Sequence, residues 1–304
     1  MAVLGMSTFC VFPGQTPAEA LRLAADAGFT GLEVWLGPQA ALPGLDGYQP
    51  TALARLGREA RRAGLALSVH APSGEMSLAS SDTAARRAAV RRLTACIRLA
   101  SRMGAGTVVF HPGTVVAHTL YREYPPVELR FPREAAWRDA RSRCADSLLA
   151  MASLARREGV RLCVETMGHE RGTVTPAAED LAWLVDQVGD PAAVAVAMDT
   201  GHCALSWGVE PAVRVLGGRI AYVHFNDTAR GTNSGIRGHH AELGTGDVDF
   251  GALSPVMSRG DITLSLEVIS FTDPEGVVRR SLGRLRAFVE EAGRALHLKT
   301  PAGR

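Results

Sequence analysis

The chain has 304 residues, 46% hydrophobic and 21% charged, with a formal net charge of +2, enough for one large domain or two small ones. That charge leaves no electrostatic footprint for nucleic acid or an anionic membrane, and no apolar stretch reaches the roughly 18–20 residues of a membrane span. The only lysine is Lys299, which excludes Schiff-base, pyridoxal phosphate and Walker A chemistry, and no GxGxxG follows the first strand to hold a dinucleotide.

The start, MAVLGMSTFCVF, has neither a basic leader nor a small-residue cleavage site, so no signal peptide is expected. Cys10, Cys96, Cys144, Cys163 and Cys203 are odd in number and scattered. Most lie in apolar runs, as reduced core cysteines of a cytoplasmic protein do.

Strand-like and helix-like patterns alternate along the chain. A strand over 3–11 precedes a helix opened by Thr16-Pro17-Ala18-Glu19 and closed by Gly28. Strand 30–36 leads to a helix around 51–63, stopped by Gly64, and strand 65–70 to a helix over 82–103 with Ser81 or Asp82 as its cap. Strand 106–111 is followed by a helix that begins only near 133. Strand 160–165 precedes a helix opened by Thr175-Pro176, and strand 193–198 a short helix after Val209-Glu210-Pro211. Strand 219–225 is followed by a long loop and a short helix from 249, which Asp249 caps. Strand 261–268 and a helix over 274–293 end the series, before a tail at 297–304. Eight βα units in succession predict an α/β chain, a single (β/α)8 TIM barrel over 1–304 with its active site at the C-terminal rim of the strands. The two long loops, 112–132 and 226–248, both follow strands and so belong to that rim.

Seven of the apolar runs end in an acidic or imidazole side chain: Glu33, His70, His111, Glu165, Asp199, His224 and Glu267. Any one of these reads equally well as a strand-end salt bridge or cap. Together, Glu165, Asp199, His224 and Glu267 make a ligand set for Mn²⁺, Mg²⁺, Zn²⁺ or Fe²⁺, where a structural zinc would recruit cysteines. His70, His111, His202 and His240 form a second group, each a metal ligand, a substrate hydrogen bonder or a satisfied rim histidine. His239 and His240 are adjacent, so only one can face the centre. Glu33 and Trp35 share one face of their strand. Glu33 is either a substrate contact or one half of a buried ion pair with a rim arginine. His169 and Glu170 lie in the loop after the fifth strand, where Glu170 reads first as an exposed carboxylate.

The segments SVHAPSGEMSLASSD, VVFHPG, CVET, AMDTGHC, YVHFND, HAELGTGDVDF and LSLEV resemble the xylose isomerase-like TIM-barrel superfamily over nearly the whole chain. That group includes sugar phosphate isomerases and epimerases, ketose 3-epimerases, inosose dehydratase and type IV abasic-site endonucleases. The resemblance to the epimerase branch implies one divalent ion on Glu165, Asp199, His224 and Glu267, with Glu165 and Glu267 exchanging the substrate proton. The endonuclease branch implies three zincs, completed by His70, His111, His202 and His240 with an aspartate two residues before the last. Gly238 stands at that aspartate, and Ser73 stands where the endonucleases carry an aromatic that enters DNA. Both departures, with the charge, argue against a nucleic-acid partner, although the HAPS and HPG segments are more endonuclease-like.

The expectation is a divalent-metal-dependent isomerase or epimerase of a sugar, sugar phosphate or polyol, working through a metal-stabilised enediolate with Glu165 and Glu267 as the acid–base pair. The partner is a small carbohydrate, with Glu33, Trp35, Arg230 and Arg237 as further substrate contacts. Alternatives are a dehydratase of the inosose kind and a metal-dependent phosphodiesterase of the abasic-site endonuclease kind.

Overall fold

In the computed structural model, residues 2–10, 16–36, 50–73, 76–115, 134–168, 172–228 and 240–299 are described. The apolar runs become parallel strands: β1 Val3–Ser7, β2 Gly31–Trp35, β3 Ala66–His70, β4 Thr107–Phe110, β5 Arg161–Glu165, β6 Val194–Asp199, β7 Ile220–Phe225 and β8 Thr263–Leu266. Each pairs with its neighbours in sequence, and β8 pairs with β1 to close the barrel. The expected fold class is the observed one.

Strand parity sorts the side chains into two cores. Leu162 and Val164, Val194, Val196 and Met198, and Val223 and Phe225 face the helices and join the large outer core. The alternate residues Val109, Cys163, Ala195, Ala197 and Tyr222 form a small core of their own inside the barrel. Most are small, so Tyr222 fills the lumen, and its Oη lies 2.9 Å from Ser68 Oγ. Successive side chains in a strand point to opposite faces. One step of two residues beyond this layer therefore delivers His70, His111, Glu165, Asp199 and His224 to the lumen at the C-terminal ends.

The helices behave as their end signals predict. α1 (Pro17–Ala27) begins with a capping box between Thr16 and Glu19 and ends at Gly28, whose φ of +84° suits glycine. α2 (Pro50–Arg62) packs beside α3 (Thr83–Met103), which is capped by the Asp82 side chain. α4 (Glu134–Arg157) packs on β5, and α5 (Ala178–Val188) packs on β6. No helix of the described residues is long and apolar enough to cross a membrane.

Several elements differ from the expectation. β1 stops at Ser7, and Thr8–Cys10 turns into a 3-10 helix because the Ser7 hydroxyl accepts the Phe9 amide. α5 starts two residues after Pro176. A short helix, α6 (Thr200–Leu205), follows β6 directly, before the expected α7 (Val209–Leu216). After Asp249, which does cap, a 3-10 turn over Phe250–Leu253 precedes the single turn α8 (Ser254–Met257). The last helix, α9, runs over Pro274–Lys299, past the expected end at 293.

Candidate metal centre and active site

Four consecutive strands, β5 to β8, deliver Glu165, Asp199, His224 and Glu267 to one point. One ligand atom from each lies within 4.8 Å of the others, and all four residues are buried. A second group, His70, His111 and Glu165, meets the same criterion. Glu165 belongs to both: its Oε2 is 3.0 Å from His70 Nε2 and 3.1 Å from His111 Nε2, and its Oε1 is 3.3 Å from His224 Nδ1. His224 Nδ1 is also 3.5 Å from Glu267 Oε2.

Asp199 ends β6 and caps α6. Its Oδ1 accepts the His202 amide at 2.7 Å, and its Oδ2 accepts Asn226 Nδ2 at 2.7 Å. This double anchoring holds the strand-end carboxylate in one orientation. It also turns His202 toward the cluster, with Nδ1 2.9 Å from the Thr166 carbonyl and 3.5 Å from Glu165 Oε1.

His240 arrives from the loop after β7. Asp227 organises that loop, accepting backbone N–H groups of Gly244, Gly246 and Val248 at 2.8, 2.9 and 3.1 Å and bridging to Ala241. His240 adopts φ +56°, a left-handed conformation in which histidine is enriched among non-glycine residues. Its Nδ1 donates to the Glu267 carbonyl at 3.0 Å, and its ring lies 5.9 Å from that of His202.

The donor chemistry fits a divalent cation. His70 Nδ1 donates to the Ala71 carbonyl at 2.7 Å, which leaves the bare Nε2 lone pair facing the Glu165 carboxylate. Two acceptors at hydrogen-bond distance need a cation or a proton between them. Glu267 Oε1 is buried with no hydrogen-bond partner among the described residues. Every donor in both groups is a carboxylate oxygen or an imidazole nitrogen, the set that Mn²⁺, Mg²⁺, Zn²⁺ and Fe²⁺ share. The five cysteines are free, buried and outside both groups. Burial pushes the thiols of Cys96, Cys144 and Cys163 up to about 12, so they are neither ligands nor nucleophiles at neutral pH.

The carboxylates are not equivalent. Burial alone would raise Glu165, but His111 and His224 outweigh it and hold it well below the usual range. Burial pushes Glu267 well above that range, and the charges of Glu165, Asp199 and Glu33 add to the effect against the pull of His224. His224 is itself held well above its ordinary value, because Glu267, Glu33 and Glu165 overcome its burial.

Trp35 and Glu33 pack against the histidines of the cluster. Trp35 is 5% exposed and stacks on His70 at 3.9 Å, with Phe9 on its other side at 4.7 Å, so it fixes the His70 ring. Glu33 is 0% exposed and holds His224 Nε2 from below, a histidine partner where an arginine was the expected ion-pair alternative. The open side of the cluster is marked by His111, 19% exposed, and His240, 12% exposed. Arg230, Arg237, Gly238, His239, His169 and Glu170 lie outside the described residues. Thr166, Asn226 and Asp227 position the site, and only their place in the CVET and YVHFND segments pointed to them.

Among solved structures, the fold is similar to an L-ribulose 3-epimerase, with TM-score 0.77 and 21% identity over 100% of both chains. It is similar to a D-tagatose 3-epimerase-like protein, with TM-score 0.70 and 19% identity over 98% of this chain and 99% of that one. It is also similar to a 3-keto-D-glucoside 4-epimerase from E. coli, with TM-score 0.69 and 16% identity over 94% and 100%. No curated protein matches the chain in sequence. The profile described as xylose isomerase-like TIM barrel matches residues 21–288, and by that span the chain belongs to the xylose isomerase-like TIM-barrel family.

Proposed function

We propose that this protein is a divalent-metal-dependent isomerase or epimerase acting on a sugar, a sugar phosphate or a related polyol. The observation that carries the reading is the convergence of Glu165, Asp199, His224 and Glu267, all buried, within 4.8 Å at four consecutive strand ends. The sugar epimerases among its structural neighbours support the same class. A divalent ion held there would supply Lewis-acid polarisation of a carbonyl and a neighbouring hydroxyl, which acidifies the adjacent C–H.

The residues then divide the work. Glu165 and Glu267 are the acid–base pair, one taking the C–H proton and the other returning a proton to the opposite face, which inverts the carbon. His111 and His240, at the open side, hydrogen-bond the substrate's remaining oxygens. Asp199 stays fixed between the His202 amide and Asn226 while charge moves around it. Free, buried cysteines suit a reducing cytoplasm.

A second reading has its own observation. His70, His111 and Glu165 would hold a second ion, such as a phosphodiesterase of the abasic-site endonuclease kind uses. One experiment separates the two: metal analysis of the purified protein, then incubation in ²H₂O with a panel of ketoses and inososes beside an abasic duplex. Solvent deuterium entering a sugar C–H is the expected result. Three zincs that survive dialysis, with nicking of the duplex and no exchange into any sugar, would replace the isomerase reading.

A further inference from the structure

Glu33 is a buried carboxylate that the proton chemistry above does not use. It sits at the centre of β2, in register with Ser7 of β1 and Ser68 of β3, one lumen layer below His70. It is fully enclosed, and its carboxylate faces the side of the His224 ring away from Glu165 and Glu267. Both of its carboxylate oxygens lie 3.1 Å from Nε2 of His224. The other nitrogen of that ring, Nδ1, faces the opposite way, 3.3 Å from Glu165 Oε1 and 3.5 Å from Glu267 Oε2.

We propose that Glu33 is a positioning residue for the metal: it pins the Nε2–H of His224, so that Nδ1 is the nitrogen offered to a divalent ion. The proposal rests on the reading of His224 as a ligand. A neutral imidazole has one N–H and one lone pair. If Nε2 carries the hydrogen, it donates to Glu33, and the lone pair on Nδ1 meets the cation among Glu165, Asp199 and Glu267. The other tautomer sets a lone pair against a buried carboxylate and leaves Nδ1 no pair to give. Glu33 therefore holds the Nε2 proton in place, so that the proton displaced when an ion binds is the one on Nδ1, and Nδ1 becomes the ligating atom.

The ring plane is set by its neighbours. Tyr222 meets the imidazole edge-on at 5.3 Å and His70 stacks on it at 5.7 Å. Glu33 supplies the remaining degree of freedom, rotation within that plane. A carboxylate behind a ligating histidine also makes its lone pair a stronger donor, and losing such a partner typically costs ~10–100-fold in metal affinity.

The test uses the full chain with Co²⁺ and with Cd²⁺. Glu33→Gln keeps the shape and removes the charge, and Glu33→Ala removes the partner. Competition against a chelating dye should give Co²⁺ dissociation constants ~10–100-fold weaker than wild type, with the visible Co²⁺ bands displaced as the imidazole becomes a poorer donor. The wild type provides a readout that survives poor folding of either variant. In the ¹¹³Cd-loaded, ¹⁵N-histidine-labelled protein, His224 should show cadmium coupling to Nδ1 and a downfield proton on Nε2. Wild-type affinity in Glu33→Gln, or cadmium coupled to Nε2, overturns the role of Glu33 and leaves the metal centre standing. A wild type that binds neither ion removes the proposed function and this inference together.

Discussion

Glu267→Gln puts opposite signs on two measurements that a merely structural residue would move together. The scaffold around the site does not depend on the carboxylate. His240 Nδ1 donates to the Glu267 main-chain carbonyl, which the substitution leaves in place. The side-chain Oε2 lies 3.5 Å from His224 and 3.6 Å from His240, and the amide keeps one oxygen for a ligand position. What disappears is a charge and a base.

For proton transfer, losing the base costs ~10²–10⁴-fold, or about 2.7–5.4 kcal/mol of barrier at 1.36 kcal/mol per tenfold. Deuterium entry into the sugar C–H, followed by ¹H NMR with metal saturating, should fall by at least that factor. For the metal-free protein the sign reverses. Burial first, then Glu165, Asp199 and Glu33, hold the folded-state carboxyl well above its ordinary value. The folded state thus binds this proton more tightly than the unfolded chain. The group's contribution to stability is then most favourable below pH ~4.3, the unfolded value. It declines as pH rises toward the raised folded value. At pH 7–8 the chelator-treated Glu267→Gln protein should melt at or above the wild-type temperature. Exchange within tenfold of wild type at full metal occupancy would refute the acid–base role. A metal-free variant that melts well below wild type would refute the electrostatic argument.

Three further outcomes follow from single contacts. Asp199→Asn sets an amide among two donors, the His202 N–H and Asn226 Nδ2, so it should empty the metal centre with the far-ultraviolet spectrum unchanged; full occupancy by elemental analysis would count against the ligand assignment. His111→Ala removes one arm of the His70–His111–Glu165 group and should abolish any second, weaker ion in a metal titration while one tight ion remains; loss of the tight ion would show that the two groups are not separable. Gly57→Ala places a methyl 2.2 Å from the Met103 carbonyl oxygen, where α2 crosses the end of α3, and should destabilise by the ~1–3 kcal/mol typical of overpacking; an unchanged urea midpoint would mean that the two helices part freely.

The barrel was legible because its signal is repeated. Eight apolar runs with helices between them leave little freedom once the sheet is parallel, and a polar residue ending several runs in succession marks the rim. The parts that were not legible are those where one residue does two things. Asp199 ends an apolar strand and caps the helix after it, and the segment TGHCAL is only 6 residues long, so periodicity had no window in which to reveal α6. At β1 the apolar letters TFCV continue the strand pattern, but a hydroxyl at Ser7 offers the Phe9 amide a local partner and the chain turns.

Glu33 shows the deeper limit. By composition it looks like Glu165: a glutamate closing an apolar run of about the same length. Its contact, His224, lies 191 residues away across the lumen, so no local pattern registers it. What separates the two is depth along the strand. Glu165 is the last residue of β5, whereas Glu33 stands two residues before the end of β2. At roughly 3.3 Å per residue, those two positions set its carboxylate ~6–7 Å further back along the strand, beside Ser68. One glutamate therefore ends its strand at the rim, beside His111 and His224. The other stands further back, where it acts through the imidazole of His224.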